Sequence, residues 1–214
     1  MPRIDDYKQA LELGQKDLEG KSYDILASLS GAAVIRDGTG KTSLSLPFLN
    51  REVIISLEPF QISYKDSHEE LPIQQQILLL HYLHGAFHSN GSAIKGEWIA
   101  FQDIPDGKFY LDAFHRRAKL PMVQTFGERS ELFVQLAAEI FGADPLDQGD
   151  ISVVIRAFPL VPVSFIIWRG DEDFPPEGNI LFDRNISDIL SAEDVSWLSG
   201  MIVYPLIGMA KAKG

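Results

Sequence analysis

Between residues 31 and 88 the hydrophobic pattern changes period, from two residues to between three and four. Ala32-Ala33-Val34-Ile35 runs into Asp37-Gly38-Thr39-Gly40, and Ser43-Leu44-Ser45-Leu46 then alternates strictly. An apolar run, an Asp-Gly turn and an alternating run read as a β-hairpin. Val53 to Leu57 and Phe60 to Tyr64 add strands, so residues 32–64 form an antiparallel meander. Immediately after it, Pro72 suits a first helical turn, and Ile73, Ile77, Leu80, His81, His84, Phe87 and His88 recur at helical spacing. Leu78, Leu79 and Leu83 widen the apolar face, as in a deeply placed helix that stops at Asn90-Gly91. A chain with both periods in separate blocks is α+β.

The remaining segments extend this reading. Residues 4–18 form an amphipathic helix with Gly20 just past its end. Trp98 to Phe101 reads as a short strand, and Phe109 to Arg117 as a helix or a structured loop. Glu128 to Phe141 is a helix stopped by Gly142. Ile151 to Ala157, Val163 to Trp168 and Asn179 to Phe182 are β-rich runs, and a helix near residues 192–207 opens at Ser191 with Asp194 in capping-box spacing. There is no repeat and no linker, so one α+β domain over 1–214 is expected, with 1–20 as its N-terminal helical segment.

Charge narrows the functions. The chain carries 30 Asp+Glu against 19 Lys+Arg, a net charge of −11. That balance argues against nucleic acid and against an anionic membrane surface. The longest uncharged run, Val195 to Ala210, contains Pro205 and is shorter than the roughly 20 residues of a spanning helix, so a buried helix is expected. No signal-peptide core is visible, which places the protein in the cytoplasm by default. With no cysteine, this chain supplies no disulfide, thiolate zinc site, Fe–S ligand or cysteine nucleophile.

Four features carry candidate chemistry. Gly38-Thr39-Gly40-Lys41-Thr42-Ser43 looks like the tail of a phosphate-binding loop, but Ile35 stands where that motif needs glycine, so a hairpin turn is expected. His81, His84 and His88 share a helix face where imidazoles are candidate metal ligands, with buried hydrogen-bonded histidines as the plainer alternative. His115-Arg116-Arg117 is a basic cluster suited to a carboxylate or phosphate, or to an internal ion pair. The fourth runs from Trp168 to Pro176. A buried strand ends at Trp168, Gly170 turns the chain, Asp171, Glu172 and Asp173 follow, and Phe174 leads into two prolines. Three adjacent carboxylates suit a cation, a basic partner or a backbone donor set, or else simply a solvated turn. Asp183 ends the next apolar run and is a possible partner of Asp171 in acid–base work.

Several pieces in this order resemble a family: Ile77 to Leu83, Phe114 to Arg117 with Pro121-Met122 and Phe126-Gly127, Pro159-Leu160-Val161-Pro162, and above all Trp168-Arg169-Gly170-Asp171-Glu172-Asp173-Phe174-Pro175-Pro176 through Asp183. They are similar to the domain-of-unknown-function family numbered 3786 of anaerobic bacteria and archaea, over about residues 20–207. The resemblance implies a role near corrinoid or Fe–S chemistry of one-carbon metabolism, because some members are joined to a cysteine-rich Fe–S domain. It names no cofactor for this chain, and with no cysteine here any cluster belongs to a partner, an Fe–S or corrinoid protein.

Two readings result. In the first, the protein is a non-catalytic binding or accessory module using Trp168, Gly170, Asp171, Glu172, Asp173, Phe174 and Asp183, with Arg117 as counter-charge. In the second, it is a metal-dependent hydrolase in which His81 and His84 join carboxylates of the 171–183 segment.

Overall fold

The computed structural model describes residues 4–213. Helices and two antiparallel sheets alternate in blocks, giving the α+β arrangement expected from the pattern. The chain organises into two compact units, each considered by itself below.

The first unit takes residues 1–93 together with Phe158–Leu160 and Asp188–Leu190. It holds α1 (Ile4–Leu18), α2 (Tyr23–Ser30), the strands β1 (Ala33–Arg36), β2 (Thr42–Phe48), β3 (Arg51–Leu57) and β4 (Phe60–Tyr64), and α3 (Ile73–His88). The sheet runs in simple order β1-β2-β3-β4. Its first hairpin turns where the Asp-Gly pair falls: Asp37 Oδ1 accepts the Thr39 and Lys41 N–H groups, and Thr39 Oγ1 donates to it as well. The phosphate-loop look-alike is therefore a turn. The helix α2 has no strong sequence pattern and was not expected; both α1 and α2 pack on α3.

The core of this unit is built around Tyr82. Its ring stacks on Phe158 at 4.2 Å with planes 7° apart, and Phe158 in turn stacks on Phe48 at 4.8 Å. The buried hydroxyl donates to the Ser30 carbonyl and accepts the Leu160 N–H, so a polar atom inside the core has two partners. Burial pushes this phenol well above its ordinary pKa. Gly85 lets the Ile189 backbone approach α3: an added Cβ would lie 1.9 Å from the Ile189 carbonyl oxygen. The glycine inside an otherwise apolar helix marks that close approach.

The second unit takes residues 94–157, 161–187 and 191–214. Its elements are β5 (Trp98–Ala100), a 3₁₀ turn (Phe101–Asp103), α4 (Gly107–Phe114), a π-helical segment (His115–Lys119), α5 (Leu120–Phe126), α6 (Ser130–Phe141), β6 (Asp144–Pro145), β7 (Ile151–Phe158), β8 (Val161–Trp168), β9 (Glu177–Asp183), the short α7 (Ile186–Ile189) and α8 (Ala192–Lys213). Two elements bridge the division, since Phe158 and the end of α7 belong to the first unit. The sheet order β5-β9-β8-β7-β6 places the hairpin β8–β9 between the short β5 on one side and β7, with the short β6 beyond it, on the other. Stacked Phe101 and Phe114, 4.1 Å apart, meet the Phe182 ring edge-on, and Phe133 bridges Phe126 and Phe165.

Two local expectations are refined in this unit. The helix α8 is capped as its sequence predicts, Ser191 Oγ donating to Asp194 Oδ2 at 2.6 Å while the Asp194 N–H returns to Ser191 Oγ. It runs on past Pro205 to Lys213, which makes it long and apolar enough to cross a membrane by length and composition; here it packs against α4, the π segment, α5 and α6. The region 107–126, ambiguous in sequence, is helical throughout with a π turn in its middle. Pro121 has no N–H to return to Arg117, and the Leu120 N–H bonds the His115 carbonyl instead, five residues back.

Candidate functional site

The Trp168–Pro176 segment is the loop of the β8–β9 hairpin. The strands pair to their ends, Trp168 opposite Glu177, and residues 169–176 close the turn. Asp171 shapes that turn from inside. Its Oδ1 accepts the Asp173 N–H at 2.9 Å and the Phe174 N–H at 2.8 Å, and its own N–H donates to the Phe174 carbonyl at 2.9 Å. This is an Asx-type turn, in which a short carboxylate replaces a missing backbone partner. Gly170 allows the loop to fold back, because an added Cβ would sit 2.8 Å from Pro176 Cδ. Pro176 rests against Gly127. Arg169 fastens the outer side: its N–H donates to Asp150, its Nε to Ser130 Oγ at 3.1 Å, and its guanidinium pairs with Glu131.

The signature thus divides by role. Gly170, Asp171 and Pro176 build the turn. What the turn presents is Phe174, 70% exposed, with Trp168 39% exposed at the strand end. The Glu172 and Asp173 carboxylates beside Phe174 are exposed and have no side-chain partner among the described residues.

Asp183 has a different job. It is 1% exposed, and its carboxylate accepts four backbone N–H groups: Lys95 at 2.9 Å, Gly96 at 2.6 Å, Glu97 at 3.3 Å and Asn185 at 3.0 Å. Those donors hold the 95–97 loop at the start of β5, and the Arg184–Glu97 ion pair closes it from outside. The lone pairs needed for acid–base or ligand work are occupied by the fold. Arg117 is likewise committed. Its guanidinium lies 4.2 Å over the Trp197 ring, and its Nη1 donates to Ser196 Oγ, both on α8. It is an anchor of the π segment on α8, not the counter-charge of the acidic turn.

The three histidines sit on α3 of the first unit, whereas Asp171, Asp173 and Asp183 belong to the second. Among the described residues no group of three or more His, Asp or Glu side chains is gathered as for a metal ion. The His84 and His88 rings lie 4.2 Å apart with their planes tilted by 40°, and His84 Nδ1 lies 3.8 Å from Asp17. Burial first, then the neighbouring His88, holds the His84 pKa below its ordinary 6.5, with Asp17 opposing. The fold therefore favours neutral His84: the stability tied to it is present above pH 6.5 and lost as pH falls through the lowered value. Urea midpoints at about pH 7.5 and about pH 5.5 check this. The acid-side loss is expected to be smaller in His84→Gln than in the parent, and equal losses would remove His84 as the cause.

The basic cluster His115-Arg116-Arg117 is split by the π turn. Arg117 faces α8, Arg116 is exposed, and His115 lines a cleft of about 610 Å³ in the second unit. Lys108 and Lys119, which the sequence reading did not single out, line the same cleft, as do the Phe101 and Phe114 rings and Asn179 of β9. Spacings of seven and four residues from His115 put both lysines on its helix face, a signal hidden by the ambiguity of this region.

A family model described as "Domain of unknown function (DUF3786)" matches residues 24–204, which contain the hairpin loop and the cleft. No curated protein and no solved structure matches the chain.

Proposed function

The chain belongs to the DUF3786 family, and from that premise we propose that it is a non-catalytic binding or accessory module serving a corrinoid or Fe–S system of one-carbon metabolism in the cytoplasm. Its docking element is the tip of the β8–β9 hairpin. The observation behind this is Phe174: a large aromatic ring held 70% exposed on a turn pinned by Asp171, Gly170 and Pro176. Exposing a ring costs free energy that a solvated turn has no need to spend, and a rigid aromatic loses little entropy when it docks. Glu172 and Asp173 flank it, so the matching surface on a partner is a hydrophobic pocket with a basic rim. This chain has no cysteine, so any cluster is the partner's.

The test is surface plasmon resonance of the immobilised protein against a purified corrinoid protein and a purified Fe–S protein of a corrinoid-making anaerobe, with free cobalamin alongside. Binding of one of those proteins is expected, weakened about thirtyfold or more by Phe174→Ala, in the range of an interface anchor. Reversing both charges, Glu172→Lys with Asp173→Lys, is expected to slow association and flatten its salt dependence. Each side chain is exposed, so neither change should disturb the fold. Unchanged affinity in Phe174→Ala, or no binding of either protein, overturns the proposal.

A further inference from the structure

Helix α8 has two sides, and the fold accounts for one of them. Val195, Leu198, Ile202, Val203, Leu206 and Ala210 are buried, in a helix that packs against α4, the π segment, α5 and α6. A helix face turned to solvent ordinarily carries charge. No charged residue occurs anywhere from Val195 to Ala210, in a chain with 30 acidic and 19 basic side chains. The side away from the core holds Trp197 and Met201, both half-buried, then Tyr204, 55% exposed, with Pro205 and Gly208 exposed after it. Apolar residues on both sides mark a helix meant to be enclosed all round, yet only half of this apolar stretch is buried.

The order of residues on the open side specifies its cover. Asp194, Trp197, Met201, Tyr204, Gly208 and Lys211 follow at alternating intervals of three and four, the spacing of a coiled-coil seam. They pair off about one midpoint: Asp194 with Lys211, Trp197 with Gly208, Met201 with Tyr204. A second α8 laid antiparallel therefore brings opposite charges together at each end and seats the largest side chain over the residue with none. Glu193 adds to the acidic first turn, and Lys211 has no ion-pair partner of its own among the described residues. Trp197 is already held by the Arg117 guanidinium, 4.2 Å from its ring centre, so docking costs it little freedom. The notch at Gly208 faces outward, since an added Cβ there meets no atom within 4 Å.

We propose that the open side of α8 is the seam of a two-fold homodimer, with a second copy of this chain lying antiparallel along it. A face that matches its own reverse is what a two-fold axis requires. The antiparallel helix dipoles reinforce the pairing. A parallel pair would instead set Lys211 against Lys211 and Trp197 against Trp197.

The test is sedimentation velocity of the whole chain from about 1 to 300 µM, where a monomer–dimer equilibrium with a dissociation constant of about 10 µM is expected. Gly208→Leu projects into open space in the monomer and improves helix propensity, so the fold should stand, as circular dichroism will show. The same leucine fills the notch for Trp197 and should weaken the dimer at least about tenfold. Lys211→Glu should weaken it about fivefold, and adding Glu193→Lys should restore most of that loss, because only the antiparallel order brings the two ends together. Phe174→Ala should leave the dimer unchanged, which separates this face from the hairpin tip. A monomer at about 300 µM, or a dimer as tight in Gly208→Leu as in the parent, overturns the seam. A monomer that floats with phosphatidylcholine vesicles also overturns it, and gives the face to a lipid surface. Loss in Lys211→Glu without rescue by Glu193→Lys overturns the antiparallel order.

Discussion

Asp183→Ala is expected to cost about 4 kcal/mol of folding stability and to lower the melting temperature by roughly 10 °C. The substitution removes few apolar contacts, so the effect comes from the donors left behind. Four backbone N–H groups, of Lys95, Gly96, Glu97 and Asn185, converge on a carboxylate that is 1% exposed. An unsatisfied buried donor costs about 1–3 kcal/mol, and charge-assisted bonds lie at the upper end. Relaxation of the 95–97 loop toward water keeps the total below the sum. Asp183→Asn retains the size and one acceptor oxygen but turns an NH₂ toward the donors, so its cost should fall between the parent and the alanine variant. Asp173→Ala, an exposed carboxylate of the hairpin loop, should change stability by less than about 0.5 kcal/mol. Denaturant titration of the three variants checks the order. Equal small losses in all three would mean that the donors find water and that Asp183 is not the clasp of β5.

Phe158→Ala is the second large effect, again about 4 kcal/mol. The ring is packed between Tyr82 and Phe48, with centroids 4.2 and 4.8 Å away, and it is 1% exposed. Truncation removes the transfer free energy of a phenyl group and leaves a cavity beside a stacked pair whose aromatic geometry adds to the burial. The neighbouring Tyr82 hydroxyl, which accepts the Leu160 N–H, should loosen at the same time. Phe158→Leu fills most of the space and should cost less than half as much. A sharper form of the same expectation concerns residues 1–93 expressed alone. That fragment contains every helix and strand of the first sheet yet lacks Phe158–Leu160 and Asp188–Leu190, which complete its core. It should give broad, non-cooperative thermal unfolding and poorly dispersed NMR signals. A cooperative transition in the fragment would overturn the claim that these distant residues complete the unit.

These two residues also mark where sequence reading stops. Periodicity was enough for the meander of residues 32–64, for α3 and for the capping of α8, because each is decided by neighbours within a few positions. The clasp at Asp183 joins residues 86–88 positions apart, and Tyr82 meets the Ser30 carbonyl across 52. Such contacts leave no local pattern, so Asp183 looked like a chemical carboxylate when it is a structural one. The hairpin loop was legible as a presented turn, since a buried strand, a glycine and paired prolines announce it. The division of labour inside it was not, because Asp171, Glu172 and Asp173 are adjacent and alike until backbone N–H groups choose one of them. Arg117 is a related case. Its place beside Arg116 suggested an anion receptor, but the π turn, a consequence of Pro121, rotates it onto Trp197 and leaves the cleft to His115, Lys108 and Lys119.

The path of the chain has a consequence for how this protein is made. A ribosome delivers residues in order, and the first unit is complete only when Asp188–Leu190 have emerged. At about 5–20 residues per second, the stretch from residue 93 to residue 190 takes roughly 5–20 s to synthesise. For roughly the first 3–13 s of it, until residue 158 is made, the Tyr82 ring lacks the Phe158 ring that stacks on it. The nascent chain carries an unfinished apolar surface throughout that interval, and the choice between sheltering it and aggregating falls within it.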